Sequence, residues 1–244
     1  MISLYDAKFR RMEISRQLQE LDLYFEIVDA TDGRHGLTPE QEQLVDRPGT
    51  LARIEREMTD AEYACALSHL GVWQRILDRD LPGAVILEDD ARLDRPFAEF
   101  LKAQGYDAAP LVLLDHEKAL AWNWTKPVRT RQGVELWRIV GNADRTTGYT
   151  ISAQGAVFLV GNSLPLQRPA DWPCDITPLK PLAVLPRLVD RPEDETESTI
   201  EASRRATFLA KRDRVKTPRN RVIRKFRRSW WRKKFLKRFT HRIS

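Results

Sequence analysis

Four apolar residues in a row, Ala84-Val85-Ile86-Leu87, run directly into three acids, Glu88-Asp89-Asp90. A strand with one wet face alternates polar and apolar residues, whereas a short run with no polar position suits a strand buried on both faces. Leu111–Leu114 is a second run of this kind. Both sit between segments with helical spacing, and strands alternating with helices argue an α/β fold with a mostly parallel sheet and crossover connections.

The flanking pattern agrees. Ile2–Leu4 reads as a short opening strand, and Lys8–Leu21 carries Met12, Ile14, Leu18 and Leu21 at helical spacing. Leu23–Val28 alternates like a strand and ends in Asp29-Ala30-Thr31-Asp32-Gly33, a run of turn formers. Thr38-Pro39-Glu40 starts a short helix, with Thr as cap and Pro at its first position. Thr59-Asp60-Ala61-Glu62 is a capping box, and the helix behind it runs to about Asp78. Asp94 and Pro96 open the next helix. Strands are expected over Glu135–Val140 and Gly148–Ile151, with Ser152 capping a helix from Ala153 to about Val160. Prolines at 165, 169, 173, 178, 181 and 186 mark a poorly regular stretch after the sheet, and Ser198–Lys211 is helix-prone.

Charge divides the chain in two. Residues 211–244 hold 16 Lys/Arg and one acid, a net +15, while residues 1–210 hold 25 bases and 34 acids, a net −9. We therefore expect a catalytic domain over 1–205 and a basic, aromatic-rich amphipathic tail over 206–244. In the tail, Val222, Ile223, Phe226 and Trp230 form one apolar stripe, and Trp231, Phe235, Leu236, Phe239 and Ile243 form another on nearly the opposite side. One straight helix cannot bury both, so two short pieces are expected. Bases interleaved with Trp and Phe suit an anionic membrane surface. Such a tail would also bind a phosphate backbone, but the acidic body argues against nucleic acid as the main partner. Two cysteines form no disulfide framework, and no signal-peptide core follows Met1. A cytoplasmic protein attached peripherally to the inner face of the cytoplasmic membrane is the expectation.

Three adjacent carboxylates repel one another, and each raises its neighbours' pKa. A divalent cation removes that penalty. Mg²⁺ and Mn²⁺ are commonly held by one or two carboxylates together with substrate phosphates. The competing reading is a solvated acidic turn.

Glu62-Tyr63-Ala64-Cys65-Ala66-Leu67-Ser68-His69, Val72-Trp73 and Ile86-Leu87-Glu88-Asp89-Asp90-Ala91 together resemble glycosyltransferase family 25, the lipooligosaccharide galactosyltransferases. Phe25–Gly33, Thr146–Ser152 with Gly155-Ala156, and Pro169-Ala170-Asp171 fit the same family in order, over roughly residues 2–200. Two departures stand out. Only Met1 precedes the Ile2-Ser3-Leu4 element, so either the start has been set late or the edge of the nucleotide site is trimmed. Ala61 and Ala64 stand where the family has glycines, a benign change inside a helix.

The resemblance implies a GT-A-like nucleotide-sugar-binding fold, a UDP-sugar donor (typically UDP-galactose), Mn²⁺ or Mg²⁺, inversion at the anomeric carbon and a lipid-linked oligosaccharide acceptor. Asp90 would then coordinate the metal, with Glu88 or Asp89 helping to hold it or the ribose. Asp29, Asp32 and Gly33 would approach the nucleoside. Glu62 and His69, seven apart on one helix face, would touch donor or acceptor, and Thr147 and Gly148 are placed with the donor too. Inversion needs a general base, for which Asp171 is the first candidate and Asp175 the second. Cys65 and His69, four apart, also make two metal ligands on one helix face, but two ligands alone are weak evidence for zinc. Trp122 and Trp124, with Tyr106 upstream, suit either an acceptor-binding loop or plain packing. A catalytically degenerate sugar-nucleotide binder is the remaining alternative.

Overall fold

The computed structural model describes residues 1–191, 236 and 238–243. The chain opens with β1 (Ile2–Ser3), α1 (Lys8–Glu20) and β2 (Val28–Asp29), followed by helices α2 (Pro39–Glu42), α3 (Arg47–Ile54) and α4 (Asp60–Asp78). Next come β3 (Gly83–Leu87), β4 (Arg92–Leu93), α5 (Arg95–Lys102) and β5 (Leu111–Leu113). An excursion of short strands follows: β6 (Leu120–Trp122), β7 (Val128–Arg129) and β8 (Glu135–Arg138). The chain then returns through β9 (Gly148–Ser152), α6 (Ala153–Ser163), β10 (Leu182–Leu185) and β11 (Val189–Asp190), and β12 (Thr240–Arg242) lies near the C-terminus.

The helix starts follow their caps. Thr59 accepts the Glu62 backbone N–H while the Glu62 carboxylate accepts that of Thr59, closing the expected box, and Thr38 and Gln41 do the same for α2. Asp94 and Ser152 cap α5 and α6 through Phe97 and Gly155. Sequence reading passes over α3, whose Asp46 cap and first-turn Pro48 were present to be read.

The central sheet has the order β3-β9-β5-β10-β8-β7. It is not mostly parallel: only β5 and β10 pair in parallel, and the other four pairings are antiparallel. The apolar runs report burial on two faces and carry no information about direction. Leu111 and Leu113 enter one core with Ile86, Tyr149 and the α4 and α6 residues Tyr63, Trp73, Ala156 and Leu159. Val112 and Leu114 enter the other with Leu87 and the α1 and α5 residues Ile14, Leu18, Phe97 and Phe100. Helices therefore cover both faces, as two-sided burial requires. Direction was set instead by the β6–β8 excursion, which returns the chain as β9, an antiparallel strand between β3 and β5.

Two further differences have similar causes. β10 lies inside the proline-rich stretch expected to be irregular; Pro181 and Pro186 flank it and leave its ladder intact. Leu23–Val28 contributes only Val28 to β2. The tail's expected amphipathic pieces lie outside the described residues except at their end. There Thr240–Arg242 pair with β6 as a strand, and Ile243 is buried in the first core.

β1 pairs in parallel with β2 and makes a parallel bridge from Ile2 to Glu88. The carboxyl ends of β1, β2 and β3 therefore leave the same edge. The register Leu87 to Gly148 brings the amino end of the reversed strand β9 to that edge as well.

Candidate active site

At this edge a cleft of about 830 Å³ is lined from several separate segments. Leu4 follows β1, Ala30–Arg34 follow β2, Glu88–Asp90 follow β3, and Asp144–Thr147 precede β9. The first turns of α4 supply Asp60–Glu62, Ala64, Cys65, Ser68 and His69, and Pro169–Asp171 close the rim. In α/β sheets, ligands bind in the crevice beyond the strand ends.

The three acids differ sharply in their partners. Asp89 accepts the Ser3 hydroxyl at 2.5 Å and Arg10 at 3.4 Å. Glu88 Oε1 accepts from the Thr146 hydroxyl at 2.7 Å and lies 3.1 Å from His69 Nε2. Burial works to raise the Glu88 carboxyl, but its interactions with His69, the Thr146 hydroxyl and Arg191 together outweigh it and hold it below the ordinary value. Asp90 Oδ1 is buried and finds no hydrogen-bond partner among the described residues. Burial, then the charges of Glu88 and Asp89, push the Asp90 carboxyl up to about 7. An orphaned buried carboxylate oxygen beside two more carboxylates fits a hard divalent cation, which takes oxygen ligands.

A buried relay sets the orientation of Glu88. Trp73 Nε1–H can only donate, and it donates to Tyr149 Oη at 2.8 Å. The Tyr149 hydroxyl hydrogen is then directed to His69 Nδ1, 2.9 Å away. This leaves Nε2–H as the donor to Glu88, the arrangement in which every proton of the chain is paired. His69, Trp73 and Tyr149 are all essentially inaccessible to solvent.

The other expected residues fall into two groups. Asp32, Gly33, Glu62, Thr147 and Asp171 line the cleft with the acids and His69. Asp32 pairs with Arg34, which holds its carboxyl down at about 2. Gly33 passes so close to α4 that a Cβ there would stand 2.4 Å from the Asp60 carbonyl oxygen. Glu62 is buried and engaged by Arg56 at 2.6 Å as well as by its capping box. The Thr147 carbonyl accepts the Glu88 N–H at 2.9 Å. Asp171 Oδ1 accepts the Arg145 N–H at 2.9 Å.

Asp29, Gly148 and Asp175 do not line the cleft. Asp29 is paired with Arg11 at 2.5 Å, tying the ends of β1 and β2. Gly148 packs against Val189, where a Cβ would come within 2.7 Å of its side chain. Asp175 accepts the N–H and hydroxyl of Thr177 at 3.0 and 2.6 Å, closing a turn.

Sequence reasoning missed Ser3, Arg10, Thr146, Tyr149 and Arg145. Arg145 has φ +79° and sits at the cleft with its guanidinium 3.2 Å from the fully buried Asp115, which Arg187 also approaches at 3.4 Å. Thr146 and Tyr149 carried a readable signal, since they open and close the Thr-Thr-Gly-Tyr block, though the block alone assigns neither a role. The other contacts join residues up to 86 positions apart and exist only in the fold.

Fold and cleft together define an α/β protein with a carboxylate-rich ligand site at its strand ends. Comparison with known proteins narrows the class. A family model described as Glycosyltransferase family 25 (LPS biosynthesis protein) matches residues 1–174, and the chain belongs to that family. Procollagen galactosyltransferase 2 from Homo sapiens is 33% identical over 170 residues, covering 66% of this chain and 27% of the relative. The lipooligosaccharide biosynthesis protein lic2B of Haemophilus influenzae is 28% identical over 160 residues, 63% of this chain and 58% of the relative. A putative glycosyltransferase from Haemophilus influenzae is 26% identical over 220 residues, 83% of this chain and 75% of that protein. The chain thus spans only about a quarter of the length of the procollagen enzymes.

Proposed function

We propose that this protein is a metal-dependent, inverting hexosyltransferase that moves galactose from UDP-galactose onto a lipooligosaccharide or another cell-surface glycan. The observation that carries the reading is Asp90 Oδ1, buried and unpaired beside Glu88 and Asp89 in a cleft at the strand ends. Membership of family 25 and relatives named as galactosyltransferases support the choice of reaction and sugar. The parallel ends of β1, β2 and β3 support a GT-A-like nucleotide site.

Asp90 would hold Mn²⁺ or Mg²⁺, with Glu88 or Asp89 beside it. A cation held there would supply charge neutralisation for the diphosphate leaving group. Asp32 and the close backbone approach at Gly33 form the wall for the nucleoside. His69 and Thr146 keep the Glu88 carboxylate fixed, so no reorganisation is needed as charge develops. Asp171 takes the proton of the attacking acceptor hydroxyl; the Arg145 N–H holds one of its oxygens and orients the other. Residues 211–244 hold the body against an anionic membrane surface, next to a lipid-linked acceptor.

The test is turnover of a panel of UDP-sugars with and without Mn²⁺. UDP-galactose should be consumed only with the cation, and Asp171→Asn should reduce transfer by about 100-fold or more while leaving donor binding intact. Turnover of no UDP-sugar, or near-normal turnover in Asp171→Asn, contradicts the respective assignment.

A further inference from the structure

Cys65 lies one helical turn before His69, so both side chains leave the same face of α4. The fold adds a third member from another element. Cys65 Sγ, a His69 ring nitrogen and a Glu88 oxygen all lie within 4.8 Å of one another. His69 Nε2 and Glu88 Oε1 are 3.1 Å apart. Two ligands on one tetrahedral zinc ion, with bonds of about 2.0 Å, stand about 3.3 Å apart. That pair already stands near its ligand spacing, and Cys65 Sγ, within 4.8 Å of both, has to close in by a side-chain movement.

We propose that Cys65, His69 and Glu88 form a zinc-selective site within the cleft, with its fourth position open, and that zinc bound there blocks the site. A thiolate, an imidazole and one carboxylate suit zinc far better than manganese or magnesium, which prefer oxygen. Asp90, whose neighbouring ligand groups are the carboxylates of Glu88 and Asp89, has the opposite preference. The cleft therefore offers two cation positions of different chemistry that compete for Glu88.

Binding balances simply. The Cys65 thiol proton leaves to solvent as the sulfur–zinc bond forms. His69 keeps its single proton, which moves from Nε2 to Nδ1. The Nδ1–H then donates a hydrogen bond to Tyr149 Oη, and the Tyr149 hydroxyl hydrogen loses His69 as its acceptor. The bond to Glu88 that is given up, the reversed bond to Tyr149 and the one unpaired hydroxyl hydrogen together cost less than ligation of zinc by three side chains gains.

The experiment uses the full chain and Co²⁺ as a coloured stand-in for zinc. Wild type should show a near-ultraviolet thiolate-to-cobalt charge-transfer band that saturates at one equivalent and is bleached by zinc. In Cys65→Ala the band should vanish and zinc affinity should fall by about 100-fold or more. No band in wild type overturns the site, and so does an unchanged band in Cys65→Ala, which would assign the thiolate to the other cysteine, Cys174. Blockage, which rests on the proposed activity, is read separately. Zinc should inhibit Mn²⁺-supported turnover in wild type but not in Cys65→Ala. If cobalt binds as expected and neither protein turns over donor, the zinc site stands and the transferase reading fails. If Cys65→Ala is inhibited as strongly as wild type, blockage at this site is wrong.

Discussion

At Asp90, burial and two neighbouring acids act in the same direction on one proton. The folded carboxyl titrates near 7 against an ordinary value of 3.8. A group whose pKa is raised by folding favours the folded state at low pH and loses that contribution as pH rises through the folded value. The cation-free protein should therefore lose stability between about pH 4 and 7 through this residue. Asp90→Asn should flatten that slope in thermal melts. Mn²⁺ affinity should rise about tenfold per pH unit below the Asp90 value and level off above it, as calorimetry would show. Tyr149 acts at one remove, through His69. Tyr149→Phe removes the acceptor of Trp73 Nε1–H and the donor to His69 Nδ1, and should cost about 2 kcal/mol of stability. The ¹⁵N shifts of His69 should then show mixed tautomers where wild type should show Nε2–H alone; an unchanged tautomer would remove the relay's role.

Elements carry the information that single residues lack. The Thr38 cap of α2, the capping box of α4 and the caps of α5 and α6 were legible because a cap is a local event, confined to a few residues. Ala84–Leu87 and Leu111–Leu114 were legible as doubly buried strands for the same reason. Strand order and direction were not, because β9 and β10 take their places through pairings formed across long separations. The acid triplet was readable as a candidate site, whereas the pairing of Asp89 with Ser3 and of Glu88 with Thr146 was not, since only the bridge from β1 and the register of β3 on β9 bring those side chains together. The contact of the β2 loop with α4 gives a test at this scale. Gly33→Ala would force the Asp60 carbonyl away from a Cβ at 2.4 Å. It should shift the loop and weaken UDP binding by about tenfold, with a stability loss of about 1–3 kcal/mol, measured by calorimetry and denaturant melts.

Over the whole molecule, the proposal gives the acidic body and the basic tail different partners. No helix among the described residues is long and apolar enough to cross a membrane. The last described residues return to the body, with β12 on β6, Trp122 stacked on Trp124 at 5.0 Å, and Ile243 in the core. Trp124 remains well exposed, so the aromatic pair is partly packing and partly surface. Sixteen bases after residue 210 predict co-sedimentation with anionic vesicles that weakens steeply with salt, and none with neutral vesicles. Equal binding to both, or retention only on RNA or DNA at physiological salt, would refute the membrane reading.

Cation and nucleotide binding at Asp90 is the point on which the rest depends. Calorimetric titration of UDP into the full chain tests it directly, with and without Mn²⁺, in wild type and Asp90→Ala. Wild type should bind UDP with Mn²⁺ at least about tenfold more tightly than without it, and Asp90→Ala should lose that enhancement. Equal UDP affinity with and without Mn²⁺, or an enhancement that survives in Asp90→Ala, would contradict it.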